Sequence, residues 1–243
     1  MLKTDLHIHT VASGHAYSTI LESATYASSV GVEVIAITDH GPSMEGAPFP
    51  GYFGNMVRVP RKMCGVNLLM GCEANVIDLS GKIDLEAGII DGLDIVLVGL
   101  HKLTPYPGNA LLADNTKALI GAITNYRIHI LSHPYRLDFP VDIVELVNAA
   151  SGQGVALELN LSLLKLFGNN KELLKQINLM IEVAEKMGVK IAVSSDAHIA
   201  TEIGDDSVLS DLCIQIPKEL ALGGQSGYNE IKEFLLSRRG RIK

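Results

Sequence analysis

Tryptophan is absent from this chain, and aromatic residues make up only 5% of its 243 residues. A protein that stacks the bases of single-stranded nucleic acid needs aromatic platforms, and here they are scarce. A surplus of positive charge is missing too. The formal net charge is −7, which argues against a broad phosphate-binding surface for DNA or RNA. Small anionic substrates stay open, because bound divalent cations reverse the local sign. Cysteine is limited to Cys64, Cys72 and Cys213. Their odd number and apolar settings predict reduced, buried thiols rather than a disulfide framework. No basic segment followed by an apolar run opens the sequence, so no signal peptide is expected. No apolar stretch approaches the ~20 residues that a membrane span needs. A soluble cytoplasmic protein is the expectation.

What the chain does have is core material: 47% hydrophobic against 19% charged residues. Seven short apolar runs recur along it: LKTDLHIH, VEVIAITDH, NLLMGCEA, DIVLVGLH, IHILSH, VALELN and KIAVSSDAH. Helix-like stretches separate them. One covers residues 19–30, where Thr19 and Glu22 form a capping-box pattern. Others cover residues 114–125, 141–152 and 171–187, the last with apolar residues at helical spacing, and residues 228–237 read as a closing helix. Strands alternating with helices predict a parallel sheet of βα units. A barrel of about seven strands suits the pattern better than an open sheet. Residues 41–54, GPSMEGAPFPGYFG, read as a long loop within one domain spanning 1–243. The basic tail SRRGRIK reads as a solvated terminus.

The placement of the polar residues is more informative. His7 and His9 stand two apart on the first run, so they project to the same side of a strand. The second run ends in Asp39 and His40, the third in Glu73, the fourth in His101 and the fifth in His133. The sixth ends in Glu158 and Asn160, the seventh in Asp196 and His198, and His15 follows the first. Only His129, inside the fifth run, is read as structural. Parallel barrels gather the C-terminal ends of their strands on one face, so these residues converge. Glu73 and Asp196 follow apolar runs, where an unpaired buried charge is costly. A metal removes that cost. Imidazole and carboxylate without a thiolate pattern suit zinc, manganese or iron.

Nine candidates exceed the four ligands of one tetrahedral zinc and suit two or three ions, with a carboxylate such as Glu73 shared between them. Such a cluster points to phosphate-ester hydrolysis. Metals lower the pKa of bound water from 15.7 to about 7 and clamp the attacking and leaving oxygens. At 1.36 kcal/mol per unit, that shift corresponds to roughly 12 kcal/mol of acidity.

The HxH of His7 and His9, His15, TDHG at 38–41, Glu73, His101, His133 and SDAH at 195–198 together resemble the PHP superfamily of polymerase-associated and histidinol phosphatase domains. The likeness is greatest to stand-alone bacterial phosphatases. It implies a distorted (β/α)7, TIM-like barrel with three divalent ions, zinc first, with manganese or iron as alternatives. By that resemblance His7, His9, Glu73 and Asp196 hold the first ion. Glu73 bridges to a second, completed by His101 and His133, and His15, His40 and His198 hold the third. Glu73 and Asp196 are thereby catalytic. Asp39 either orients His40 or gives a proton to the leaving group. Lys102 and Arg136 are the candidate phosphate-binding residues, and Glu158 and Asn160 support the site or the fold.

The expected activity is therefore hydrolysis of a small phosphate monoester, with self-association left open. Three alternatives are weighed against it. A nuclease is disfavoured by the acidic balance and scarce aromatics. An amidohydrolase-type deaminase or C–N hydrolase also opens with HxH, yet leaves His15, His40 and the final DxH without a role. A metal-stabilised, non-catalytic PHP module would be expected to have lost ligands, and none is missing.

Overall fold

In the computed structural model, which describes residues 1–237, all seven apolar runs form strands. In chain order the strands are β1 (Thr4–Ile8), β2 (Val34–Ile37), β3 (Lys62–Met63), β4 (Val66–Asn75) and β5 (Ile95–Gly99). They continue with β6 (Ile130–Leu131), β7 (Ala156–Asn160), β8 (Ile191–Ser194) and β9 (Ala221–Gly223). The helices are α1 (Ile20–Ser29), α2 (Pro50–Asn55), α3 (Ala87–Gly92), α4 (Leu112–Asn125) and α5 (Ile143–Gln153). After them come α6 (Leu161–Phe167), α7 (Lys171–Met187), α8 (Ser207–Asp211) and α9 (Tyr228–Ser237).

The sheet runs β1-β2-β4-β5-β6-β7-β8-β9, with β3 hanging off β4 as a short antiparallel partner. Every other pairing is parallel. The ends nearly meet. Thr4 bridges Gly224 beyond β9, and Ile8 bridges Ala197 beyond β8. The result is a nearly closed, distorted TIM-like barrel. Strand β9 is the parallel addition to the expected seven: three residues ending in Gly223 and followed by Gly224 carry too little periodicity to be seen in the sequence.

Side chains facing into the barrel divide it by height. Its lower part is filled by Leu6, Val34, Leu69, Ile95, Leu97, Ile130 and Leu222, among others, and Ile231 and Leu235 of α9 pack onto that cluster. The upper part holds the histidines and carboxylates. In β1 this division depends on a register irregularity between Asp5 and Ile8. Adjacent residues of a regular strand face opposite ways, yet Leu6 joins the interior cluster while His7 reaches the carboxylates above it. A bulge permits both.

Local signals hold at the helix ends. Thr19 and Glu22 form the reciprocal capping box of α1. Asn170 caps α7, which buries Leu173, Ile177, Met180 and Ala184 on one face. Two expectations are corrected. Residues 41–54 are not all loop, since Pro50 starts α2 from its first position, where its missing N–H is no loss. Of the cysteines only Cys72 is buried. Cys64 and Cys213 are exposed at turns, both with positive φ, and all three are free. Beyond Ser237 the basic tail lies outside the described residues. Among the described residues, no helix is long and apolar enough to cross a membrane.

Candidate metal centre

The barrel brings all nine predicted ligand residues to its C-terminal mouth. His7, His9, His40, Glu73, His101 and His133 are buried, Asp196 and His198 are partly exposed, and His15 is exposed at the rim. Gly99 makes room for them: a Cβ there would lie 2.9 Å from His101 Cε1, 3.0 Å from His133 Cε1 and 2.5 Å from Ser132 Oγ. Three residues lining the mouth have left-handed backbone, namely Leu103 (φ 60°), His133 (φ 32°) and Asp196 (φ 55°). Each such residue costs on the order of 1–3 kcal/mol and persists only where its surroundings enforce it.

Hydrogen bonds decide which ring nitrogens face the centre. His7 Nδ1 donates to Glu158 Oε1 at 2.6 Å. Glu158 also accepts from Ser194 Oγ (2.5 Å), the His133 backbone N–H (2.8 Å) and Asn160 Nδ2 (3.1 Å). His9 Nδ1 lies 3.0 Å from Ser13 Oγ, whose own proton goes to Asp39 Oδ1 at 2.7 Å, so the imidazole is the donor. Both rings therefore turn Nε2, the lone-pair nitrogen of a neutral imidazole, toward the centre. Those two atoms are 3.0 Å apart. His7 Nε2 is 3.2 Å from Glu73 Oε2 and 3.5 Å from Asp196 Oδ1. His9 Nε2 is 3.4 and 3.1 Å from the same oxygens. Four acceptors converge with no donor of their own. With His7 and His9 as neutral, Nδ1-protonated rings, no described residue donates a hydrogen bond to Glu73 Oε2 or Asp196 Oδ1, and His40 Nδ1, 3.0 Å from Glu73 Oε2, is likewise unpaired.

Glu73 divides its oxygens. Oε1 lies 3.0 Å from both His101 Nε2 and His133 Nε2, while Oε2 serves His7, His9 and His40. Three overlapping triads, His7–His9–Asp196, His40–Glu73–His101 and His9–His40–His198, each keep their ligand atoms within 4.8 Å of one another. His40 thus stands between groups, closer to Glu73 than the expected partition implies. The His15 ring lies 5.1 Å from that of His40 and 5.0 Å from that of His198.

Without a cation other than the proton, the charges settle unevenly. Burial opposes charging His7, but the carboxylates of Glu73, Glu158 and Asp196 outweigh it and hold its pKa well above the usual value. His9 is likewise raised against burial, to about 9, because its charged form can donate to Asp196 and Glu73. Burial, aided by neighbouring imidazoles, lowers His40 and His15, and burial lowers His101. The Glu73 and Asp196 carboxyls are held low against burial, both by His7 before any other residue. A buried donor set of neutral imidazoles and carboxylates, competing for too few protons, fits divalent ions.

Asp39 is not at the centre. It accepts from the Thr10 backbone N–H (2.7 Å), the Thr10 hydroxyl, Ser13 Oγ and the Tyr52 hydroxyl (2.7 Å). Saturated in this way and absent from the cavity lining, it orients His9 through Ser13. The same Ser13 Oγ accepts from the His40 backbone N–H at 3.2 Å, so the expected link from Asp39 to His40 runs through Ser13 as well. Lys102 and Arg136 do line the mouth, a cavity of about 380 Å³ shared with Met44, Glu45 and the ligand cluster. Asp138 grips both cations. Arg136 donates from Nε at 3.0 Å and from Nη2 at 2.8 Å, and Lys102 Nζ is 3.2 Å away. Sequence reasoning missed Ser13, Tyr52, Ser194 and Asp138. Only Asp138, two residues beyond Arg136, offered a signal.

Residues 5–186 match the PHP domain family model. A probable phosphatase of Caldanaerobacter subterraneus subsp. tengcongensis is 41% identical, over 99% of this chain and 94% of that protein. One from Clostridium acetobutylicum is 36% identical, over 98% and 96%. Among solved structures, a histidinol phosphate phosphatase of Lactococcus lactis subsp. lactis, complexed with zinc, L-histidinol and phosphate, aligns with a TM-score of 0.60. It is 17% identical and the alignment covers 95% of this chain and 93% of that one.

Proposed function

The chain belongs to the PHP domain family, and on that premise we propose that it is a metal-dependent phosphatase acting on small phosphate monoesters. One observation carries the reading above the family name. Two imidazole nitrogens and two carboxylate oxygens converge within 3.0–3.5 Å at the floor of a cavity that also presents Arg136 and Lys102.

In this reading His7, His9, Glu73 and Asp196 would hold one ion, and His101 and His133, both 3.0 Å from Glu73 Oε1, would hold a second together with it. His15, His40 and His198 would hold a third. Such ions supply a strong nucleophile from water at neutral pH and neutralise phosphoryl oxygens. The remaining work belongs to the chain. Glu158 and Ser13 fix the tautomers of His7 and His9 so that Nε2 faces inward. Arg136 and Lys102 present positive charge to the phosphate, and Asp138 keeps the guanidinium fork in place. Water and the ester are consumed, the P–O bond to the alcohol breaks, and inorganic phosphate and the alcohol leave.

The test pairs metal content by mass spectrometry with hydrolysis of 4-nitrophenyl phosphate before and after chelation. We expect about three ions per chain, as suits a ligand set too large for one, and loss of phosphate release on chelation. One ion or none, with no hydrolysis after zinc or manganese is restored, would overturn the reading and favour C–N hydrolysis or a non-catalytic module.

A further inference from the structure

Arg136 and Lys102 are walls of two cavities, not one. On one side is the mouth with the ligand cluster; on the other is a cavity of about 350 Å³. The second is floored by Leu137, Leu163, Phe167 and Leu173. Two of its polar acceptors are already engaged. Asn170 Oδ1 caps α7 by accepting from the N–H groups of Glu172 and Leu173. The Asp138 carboxylate is held by Arg136 and Lys102. The floor itself offers apolar surface, with Leu137 41% and Phe167 54% exposed to solvent.

A phosphate ester whose phosphoryl group meets Arg136 must send its organic part to one side of the cation pair. Toward the rim of the mouth stand His15, Glu45 and His198; toward the second cavity stand leucines and a phenylalanine. We propose that the second cavity receives the organic part of the substrate, so that the enzyme selects monoesters of alcohols with an aromatic or extended apolar body. This rests on the phosphatase reading. The volume is ample, since a dry cavity of about 150 Å³ already accepts benzene. A sugar would bring hydroxyls against the leucines and phenylalanine of the floor, which offer them no partner as water is displaced.

The experiment compares kcat/KM of the metal-loaded protein for 2-phenylethyl phosphate and ethyl phosphate, with 4-nitrophenyl phosphate as the activity control. The two alkyl leaving groups are similar in acidity, so their ratio reads recognition of the organic part. The expected ratio is about tenfold or more in favour of the phenylethyl ester, the scale of apolar-pocket discrimination. In Leu137→Ser/Phe167→Ser the ratio should fall to about threefold or less, because the apolar surface is gone. Both side chains are well exposed, so the core is spared, and Leu137→Ser alone should move the ratio the same way. Equal kcat/KM for the two esters, or a ratio unmoved in the variants, overturns the subsite. Hydrolysis of 4-nitrophenyl phosphate alone does so too, while leaving the phosphatase reading standing. Hydrolysis of none of the three overturns both.

Discussion

Glu158 and Asp39 never enter the cavity lining, yet they determine which atoms do. Each fixes one histidine of the HxH pair, Glu158 directly and Asp39 through Ser13. The paired Nε2 atoms then face Glu73 and Asp196, and in the metal-free protein protons take the place of ions. This makes metal binding a proton-release reaction. His9, raised to about 9, holds a proton at neutral pH, and the carboxylates around His7 shift it in the same direction. A raised pKa means that folding favours the protonated form. The stabilisation is complete below the unfolded value of about 6.5 and is lost as pH rises through about 9. The metal-free protein should therefore melt at progressively lower temperature between those limits. At pH 7.5, titration calorimetry with zinc in two buffers of different ionisation enthalpy should show at least one proton released. Heats independent of the buffer would contradict this assignment.

Elements position the site through small irregularities. The bulge in β1 lets Leu6 close the lower barrel while His7 enters the upper one. Gly99, at the end of β5, keeps open the space that the His101 and His133 rings occupy. Gly99→Ala should fold, because the new methyl group meets side-chain atoms that can shift, but the two rings must move. We expect a protein with native circular dichroism that retains fewer metal ions. Full metal content with undiminished hydrolysis would show that the strand end tolerates the methyl group. Helix α2 acts at similar range: Pro50 starts it, and Tyr52 from its first turn reaches Asp39. A segment that reads as loop thus carries a support of the centre.

At the scale of the whole molecule, the barrel is closed from below by its last helix. Ile231 is fully buried, and with Leu235 it covers the interior cluster formed by strands from both ends of the sheet. Burying that surface ties α9 to β1, β2 and β4. Ile231→Ala should lower unfolding stability by about 2–5 kcal/mol, the range for a buried large-to-small change that leaves a cavity. Urea denaturation measures it. An unchanged midpoint would mean that α9 merely rests on the barrel. Ligands come from strand ends all around the barrel, so loss of closure should also loosen the mouth.

The sequence by itself determined the seven main strands and the residues that end them. Short apolar runs must be buried, and an imidazole or carboxylate placed directly after such a run is drawn to the barrel mouth with a cost that only a partner or an ion removes. It determined α7 and the cap of α1 as well, because those depend on neighbours three and four residues away. Tertiary structure alone decided how the two oxygens of Glu73 are shared, which nitrogen of His7 and His9 faces inward, and that Asp39 acts through Ser13. It also decided the eighth parallel strand and the apolar cavity behind Arg136. Each of these depends on distances of a few ångströms between groups far apart along the chain, and local periodicity carries no record of them.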